Sequence, residues 1–256
     1  MRTIAILNLK GGVGKTVTAI NFAAILAHDY AQRVLLIDAD SQCNLTEFVG
    51  GDPDVSNLAN VLRGFAPAVA SIQKSQIPGV DILPGSEELM DLDLTKVETN
   101  AVSASVLREL VGYLNNYGSG YDACIIDCPP AFNAAAAAAL IAADEVLIPI
   151  KVDAFSLRGM TNVLRQIRNM NEINKRLRIS GVLPTMYYSD NREYGDAIRE
   201  LVHAGLRVFP PIRRSDRVDA STFAQEAVLT FSPRSAAAVD YRRFVAAFLR
   251  GGDSNG

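Results

Sequence analysis

The residues with the clearest chemistry lie near the N-terminus, in Lys10-Gly11-Gly12-Val13-Gly14-Lys15-Thr16. Glycines at 11, 12 and 14 let the backbone turn tightly and point its N–H groups at one spot, where an anion can sit. Lys15 brings an ammonium group to that spot, and Thr16 adds a hydroxyl suited to a divalent cation. Thr3–Asn8 ahead of the loop reads as an apolar strand, and Lys15–His28 after it as a helix. The loop therefore opens onto a helix N-terminus, whose dipole attracts the same anion. This chemistry is capture of a nucleotide's phosphate chain. Lys10, Gly11, Gly12, Val13, Gly14, Lys15, Thr16 and Val17 would surround ATP or ADP, with Lys15 on the β- and γ-phosphates and Thr16 on Mg²⁺.

The loop departs from the common pattern G-x-x-x-x-G-K-[ST] in one informative way. Leu9 stands where the first glycine would fall, and Lys10 adds a second cation. Two cations on one short loop repel unless an anion lies between them. One explanation is that Lys10 reaches across a dimer interface to a partner's phosphates, as an arginine finger does in trans.

Carboxylates end two further strands. Arg33–Asp38 runs into Asp38-Ala39-Asp40-Ser41-Gln42-Cys43-Asn44, and Tyr121–Asp127 runs into Cys128-Pro129-Pro130. In an open α/β sheet such strand ends face the ligand. Carboxylates there can organise Mg²⁺ and water for an in-line displacement.

The elements that must position these groups alternate along the chain. Strands are expected at Thr3–Asn8, Arg33–Asp38, Val80–Leu83, Tyr121–Asp127, Glu145–Ile150, Ile179–Pro184 and Arg207–Phe209. Helices are expected at Lys15–His28, Ser103–Tyr117, Asn133–Ala143, Ser156–Asn174, Arg192–Ala204 and Ser235–Arg250. Apolar strands without polar alternation, separated by helices, predict an α/β fold: a doubly wound, mostly parallel sheet with helices on both faces. Residues 1–250 read as one domain and residues 251–256 as a disordered tail.

Composition narrows the classes. Of 256 residues, 49% are hydrophobic and 21% charged, ordinary for a globular chain. Three scattered cysteines, Cys43, Cys124 and Cys128, supply neither a disulfide framework nor a paired metal motif, and a reducing cytoplasm is expected. No apolar run is long enough to span a membrane. The first strand begins at once, so neither a leader nor a separate DNA-reading module is expected ahead of it. Charge is uneven: residues 1–150 hold 8 basic and 17 acidic side chains, residues 151–256 hold 17 and 11. That asymmetry is compatible with a polyanion contact in the C-terminal part or with an arginine-rich solvated surface.

KGGVGKT followed by VLLIDADSQCNLT resembles the deviant Walker A ATPases of the ParA/MinD group, and the resemblance spans nearly the whole chain. It implies a catalytic set of Lys10, Lys15 and Asp40, with Asp40 positioning or activating the attacking water. It implies metal support from Thr16, Asp38 and Asp127, the last as the Walker B aspartate. Ser41 and Cys43 replace the group's usual Pro and Gly. Val17 lacks the hydroxyl that many relatives offer the α-phosphate, so somewhat weaker nucleotide binding is expected. The base pocket falls by resemblance near Met186, Pro211 and Arg213. The implied activity is slow, Mg²⁺-dependent ATP hydrolysis that times an ATP-sandwich homodimer. The dimer would bind DNA without sequence preference and be released by a ParB-like centromere-binding partner, in the cytoplasm and on the nucleoid. The segment PIRRSDRVDAS resembles the group's IPRNVRLSEAPS and assigns Arg213, Arg214 and Arg217 to DNA, with Lys151 and Arg158 adding charge. Two alternatives stand beside this: a MinD-like membrane switch, which would need a C-terminal amphipathic helix beyond the domain, whereas Tyr241–Arg250 aligns with the group's final packed helix, and an ATP-dependent ligase on the same fold.

Overall fold

Thr3, Ile4, Ala5 and Ile6 are all buried, as a strand covered on both faces requires. They belong to β1 (Arg2–Ile6), the fifth of seven strands across the sheet of this computed structural model. The structure describes residues 1–92, 94, 103–118, 120–188 and 192–251, without the side chains of 154–158, 192 and 193. The other strands are β2 (Val34–Asp38), β3 (Gln73–Lys74), β4 (Val80–Leu83), β5 (Ala123–Asp127), β6 (Glu145–Lys151) and β7 (Arg178–Thr185). Their spatial order is β3-β4-β2-β5-β1-β6-β7. Every neighbouring pair is parallel except β3–β4.

Helices cover both faces. One layer holds α1 (Lys15–Tyr30) and the final helix, where Phe22 meets Phe244 and Phe248 edge to face at centroid distances of 5.2 and 4.9 Å. Such aromatic pairs add to the burial of their area. The opposite layer holds α4 (Val106–Asn116), α5 (Ala134–Ala142) and α6 (Ala154–Ile173). The alanine run forms α5, capped by Asn133, whose side chain accepts from the Ala136 N–H at 3.0 Å. It is buried along its whole length, as small side chains permit between close-packed neighbours.

The short elements α2 (Asn44–Val49), α3 (Leu58–Leu62), α8 (Asp216–Phe223) and α9 (Val228–Phe231) escape a periodicity reading, because four to eight residues hold too few turns to show a period. The two remaining helices, α7 (Arg192–His203) and α10 (Ala236–Arg250), fall where the pattern places them. In α10 the apolar residues Tyr241, Phe244, Val245 and Phe248 are buried in the core, so that face is already used. The tail beyond Gly251 and the side chain of Arg158 lie outside the described residues.

One expected strand is corrected. Arg207–Phe209 forms only an isolated parallel bridge, Val182 to Val208. Pro210 and Pro211 follow, and neither has an N–H to extend a ladder. The chain nevertheless tracks the β7 edge: Ile212 N donates to Pro184 O at 2.8 Å and Arg214 N to Tyr187 O at 3.0 Å. This brings Arg213 and Arg214 to the C-terminal end of the sheet, beside the loop after β1.

Candidate nucleotide site

Two side chains, Asn8 and Thr185, fix the Gly-rich loop. Asn8 accepts from Lys10 N at 3.0 Å and donates to Pro149 O at 2.7 Å, tying the loop to β6. Thr185, at the end of β7, donates to Val13 O at 2.8 Å. Gly12 and Gly14 adopt φ of 68° and 80°. A Cβ on Gly14 would approach nothing closer than 3.9 Å, so the left-handed backbone rather than lack of space calls for glycine there. Gly14 then hands the chain to the first turn of α1.

The two loop lysines have different surroundings. Lys15 is buried, and its Nζ donates to Lys10 O at 3.4 Å, folded back over its own loop. The Nζ of Lys10 points to Asp153, just past β6, at 2.7 and 3.0 Å from the two carboxylate oxygens. Lys15 thus occupies the cradle, while Lys10 extends along the surface with 39% of its side chain exposed.

Asp38 and Asp127 are register partners at the ends of β2 and β5, and both are fully withdrawn from solvent. Among the described residues, neither oxygen of Asp127 has a hydrogen-bond partner of good geometry, although the Thr16 hydroxyl lies close by. Its carboxyl is raised well above the ordinary range by burial first and by the charge of Asp38 second, with Thr16 and Lys15 pulling the other way. Two unsatisfied carboxylate oxygens in a buried site beside the Thr16 hydroxyl fit a hydrated Mg²⁺, so Thr16 and Asp127 would hold it.

Asp38 is hydrogen-bonded within the chain. Its Oδ2 accepts from Thr46 N at 2.9 Å and from the Thr46 hydroxyl at 2.7 Å, and its Oδ1 from Asp40 N at 3.1 Å. Burial pushes this carboxyl up to about 6, against those hydrogen bonds. Three hydrogen bonds to the chain make Asp38 the anchor of the loop that follows β2. Asp40 on that loop accepts from Gln42 N at 3.1 Å.

Cys43 holds φ 55° and ψ 20°, the left-handed region. An L-residue there carries about 1–2 kcal/mol of strain that glycine avoids. Its half-buried thiol is pushed up to about 12 by burial and by the charges of Asp38, Glu87 and Asp40, so it stays protonated at neutral pH. Cys43→Gly is expected to stabilise the protein by about 0.5–1 kcal/mol after glycine's larger chain entropy is discounted. That corresponds to a rise of about 1–4 °C in Tm. Thermal unfolding followed by circular dichroism checks it, and a fall in Tm contradicts it.

A crevice beside the loop is lined by Gly14, Val17, Thr185, Met186, Ile212 and Arg213, among others. It contains two of the three residues expected at the base pocket. Pro211 is not among its lining residues, and Ile212 is. A second cleft of about 290 Å³ adjoins it through Val17 and Thr222, with Thr16, Asn44 and Phe48 on its walls. Arg213 forms a two-pronged ion pair with buried Asp240, at 2.6 and 2.9 Å. Arg214 lies 3.8 Å from Asp219, and Arg217 stands exposed on the first turn of α8. Sequence reasoning missed Asp153, Asp240, Thr46 and Thr185. Asp153 and Thr185 were within reach of the rule that strand C-termini face the ligand; Asp240, on the last helix, carried no signal.

Residues 1–179 match the family model AAA_31, described as an AAA domain. The chromosome partitioning protein ParA of Caulobacter vibrioides is 35% identical over 246 residues, covering 94% of this chain and 91% of the relative. The chain belongs to the ParA family of P-loop ATPases. Among solved structures, apo McdA from Cyanothece superposes with a TM-score of 0.83 at 26% identity, over 97% of this chain and 99% of the other. Cobyrinic acid a,c-diamide synthase from Mycobacterium smegmatis, with ADP and magnesium bound, gives a TM-score of 0.81 at 30% identity, over 100% and 97%. The family match makes the chain a P-loop ATPase. No helix among the described residues is long and apolar enough to cross a membrane.

Proposed function

We propose that this ParA-family ATPase is a nucleotide-timed DNA-binding switch that partitions a cargo. The observation that carries the reading is the separation of the two loop lysines. Lys15 fills the cradle of its own subunit, while Lys10 points away from it and rests on Asp153. A second cation outside the cradle suits a phosphate chain held by another subunit.

On this reading the loop N–H groups and Lys15 bind the ATP phosphates, and Lys10 of each subunit exchanges Asp153 for the partner's nucleotide. Asp40 orients the attacking water and slowly hydrolyses ATP, which reopens the dimer. Bound Mg²⁺ supplies charge neutralisation to the phosphates. Arg214 and Arg217 face solvent from the segment beside the base crevice, so nucleotide and DNA contacts share one structural unit. Arg213 is committed to Asp240 and orients that segment. Two such surfaces brought together by dimer closure neutralise more phosphates than one, which makes DNA affinity depend on ATP. A ParB-like partner would accelerate the reversal.

Retention on random duplex DNA, measured with ATP and with ADP, tests the proposal. ATP-dependent flotation with liposomes instead would favour a membrane switch. Turnover that requires an added acid and amine would favour a ligase.

A further inference from the structure

We infer that Thr46 is a positioning residue for hydrolysis: its hydroxyl bridges Gly85 and Asp38 and thereby fixes the loop that carries Asp40. The inference rests on the reading of Asp40 as the residue that orients water. Its basis is a continuous chain of buried hydrogen bonds across three segments. Gly85 N, just after β4, donates to Thr46 Oγ1 at 2.8 Å. That hydroxyl donates to Asp38 Oδ2 at 2.7 Å, and the Thr46 backbone N–H meets the same oxygen at 2.9 Å. The other oxygen of Asp38 accepts from Asp40 N at 3.1 Å. Backbone N–H, hydroxyl, carboxylate and backbone N–H thus run in sequence from β4 to Asp40.

Thr46 is 2% exposed and Asp38 0%, so water cannot replace a lost partner without opening the site. A hydroxyl suits the middle, because its one oxygen both accepts from Gly85 N and donates to Asp38. Sterics point the same way. A Cβ on Gly85 would lie 3.0 Å from Asp38 O, 3.1 Å from Asp38 Cγ and 3.2 Å from Asp40 O. The loop therefore packs directly on the Gly85 backbone, with no room for a side chain between them. Thr46 contributes no group to the Gly-rich cradle. Its removal is expected to act on hydrolysis and to spare nucleotide capture.

Thr46→Val keeps the shape and removes the hydroxyl, whereas Thr46→Ser keeps the hydroxyl. We expect Thr46→Val to lower kcat for basal ATP hydrolysis by about tenfold or more, with the nucleotide Kd within about threefold of the parent and Thr46→Ser within about threefold in both. Amide exchange of residues 38–46 in the nucleotide-free protein should rise in Thr46→Val and not in Thr46→Ser. If Thr46→Val does not fold, Thr46→Ala, which also removes the hydroxyl, carries the test through the same two readouts. A Thr46→Val protein with parental kcat overturns the inference, as does equal loss of kcat and nucleotide affinity, or unchanged exchange. Asp40→Ala run in parallel separates the failures. If it hydrolyses ATP normally, the reading of Asp40 is wrong. If it is inactive while Thr46→Val is normal, only the role of Thr46 falls.

Discussion

Replacing Lys10 by alanine is expected to abolish the ATP-dependent dimer while leaving the monomer able to bind nucleotide. The expectation follows from where each lysine spends its charge. Lys15 is buried and bonded within the loop, so it serves the nucleotide of its own subunit. Lys10 rests on Asp153 in a pair whose side chains are 39% and 32% exposed. A pair that exposed contributes only about 0–1 kcal/mol, so releasing it costs little and the monomer's fold does not depend on it. Across a closed interface the same ammonium would meet phosphate oxygens away from water, where losing one partner of a charge pair weakens association by about a hundredfold or more. Light scattering with a non-hydrolysable ATP analogue should therefore give the 27.6 kDa monomer for Lys10→Ala and twice that mass for the parent. Nucleotide affinity should change by about threefold or less. A Lys10→Ala protein that dimerises like the parent would contradict the separation of roles.

Asp40→Ala is the second large effect, and it acts on the other half of the cycle. Asp40 sits on the loop anchored by Asp38, 8% exposed, at the strand end facing the cradle. Removing a group that orients or deprotonates water lowers turnover by about 10²–10⁴-fold. Capture by the loop and Lys15 remains, so the closed dimer should persist on DNA in ATP without added partner. Alanine also deletes the hydrogen bond from Gln42 N to Asp40 Oδ1. Asp40→Asn keeps that acceptor, and it should be as slow as Asp40→Ala if chemistry is what is lost. Normal hydrolysis by either variant would remove Asp40 from the mechanism.

The parts of this site that could be read in the sequence are those whose partners lie close along the chain. The glycines and Lys15 follow one another at the mouth of β1, and Asp38 and Asp127 end apolar runs that read as strands, with Asp40 two residues beyond the first. Sheet order decides the rest. Asp153 meets Lys10 across 143 residues because β6 lies beside β1. Gly85 meets Thr46 across 39 residues because β4 lies beside β2. The prolines after Phe209 are a local signal against a strand at Arg207–Phe209. Asp240 was legible only as a polar residue in an amphipathic helix, since nothing in its spacing points to Arg213. The metal role expected of Asp38 came from the resemblance; in the structure its oxygens accept from Thr46 and Asp40.

Retention on random duplex DNA is the measurement closest to the central claim, because it joins nucleotide, dimer and cationic surface in one readout. The account predicts retention of the parent protein with ATP and Mg²⁺, and little with ADP. It predicts loss as salt rises, with a logarithmic slope of about −0.9 for each phosphate neutralised, and a shallower slope when Arg214 and Arg217 are replaced by alanine. Equal retention in ATP and ADP, or none at low salt, would contradict it.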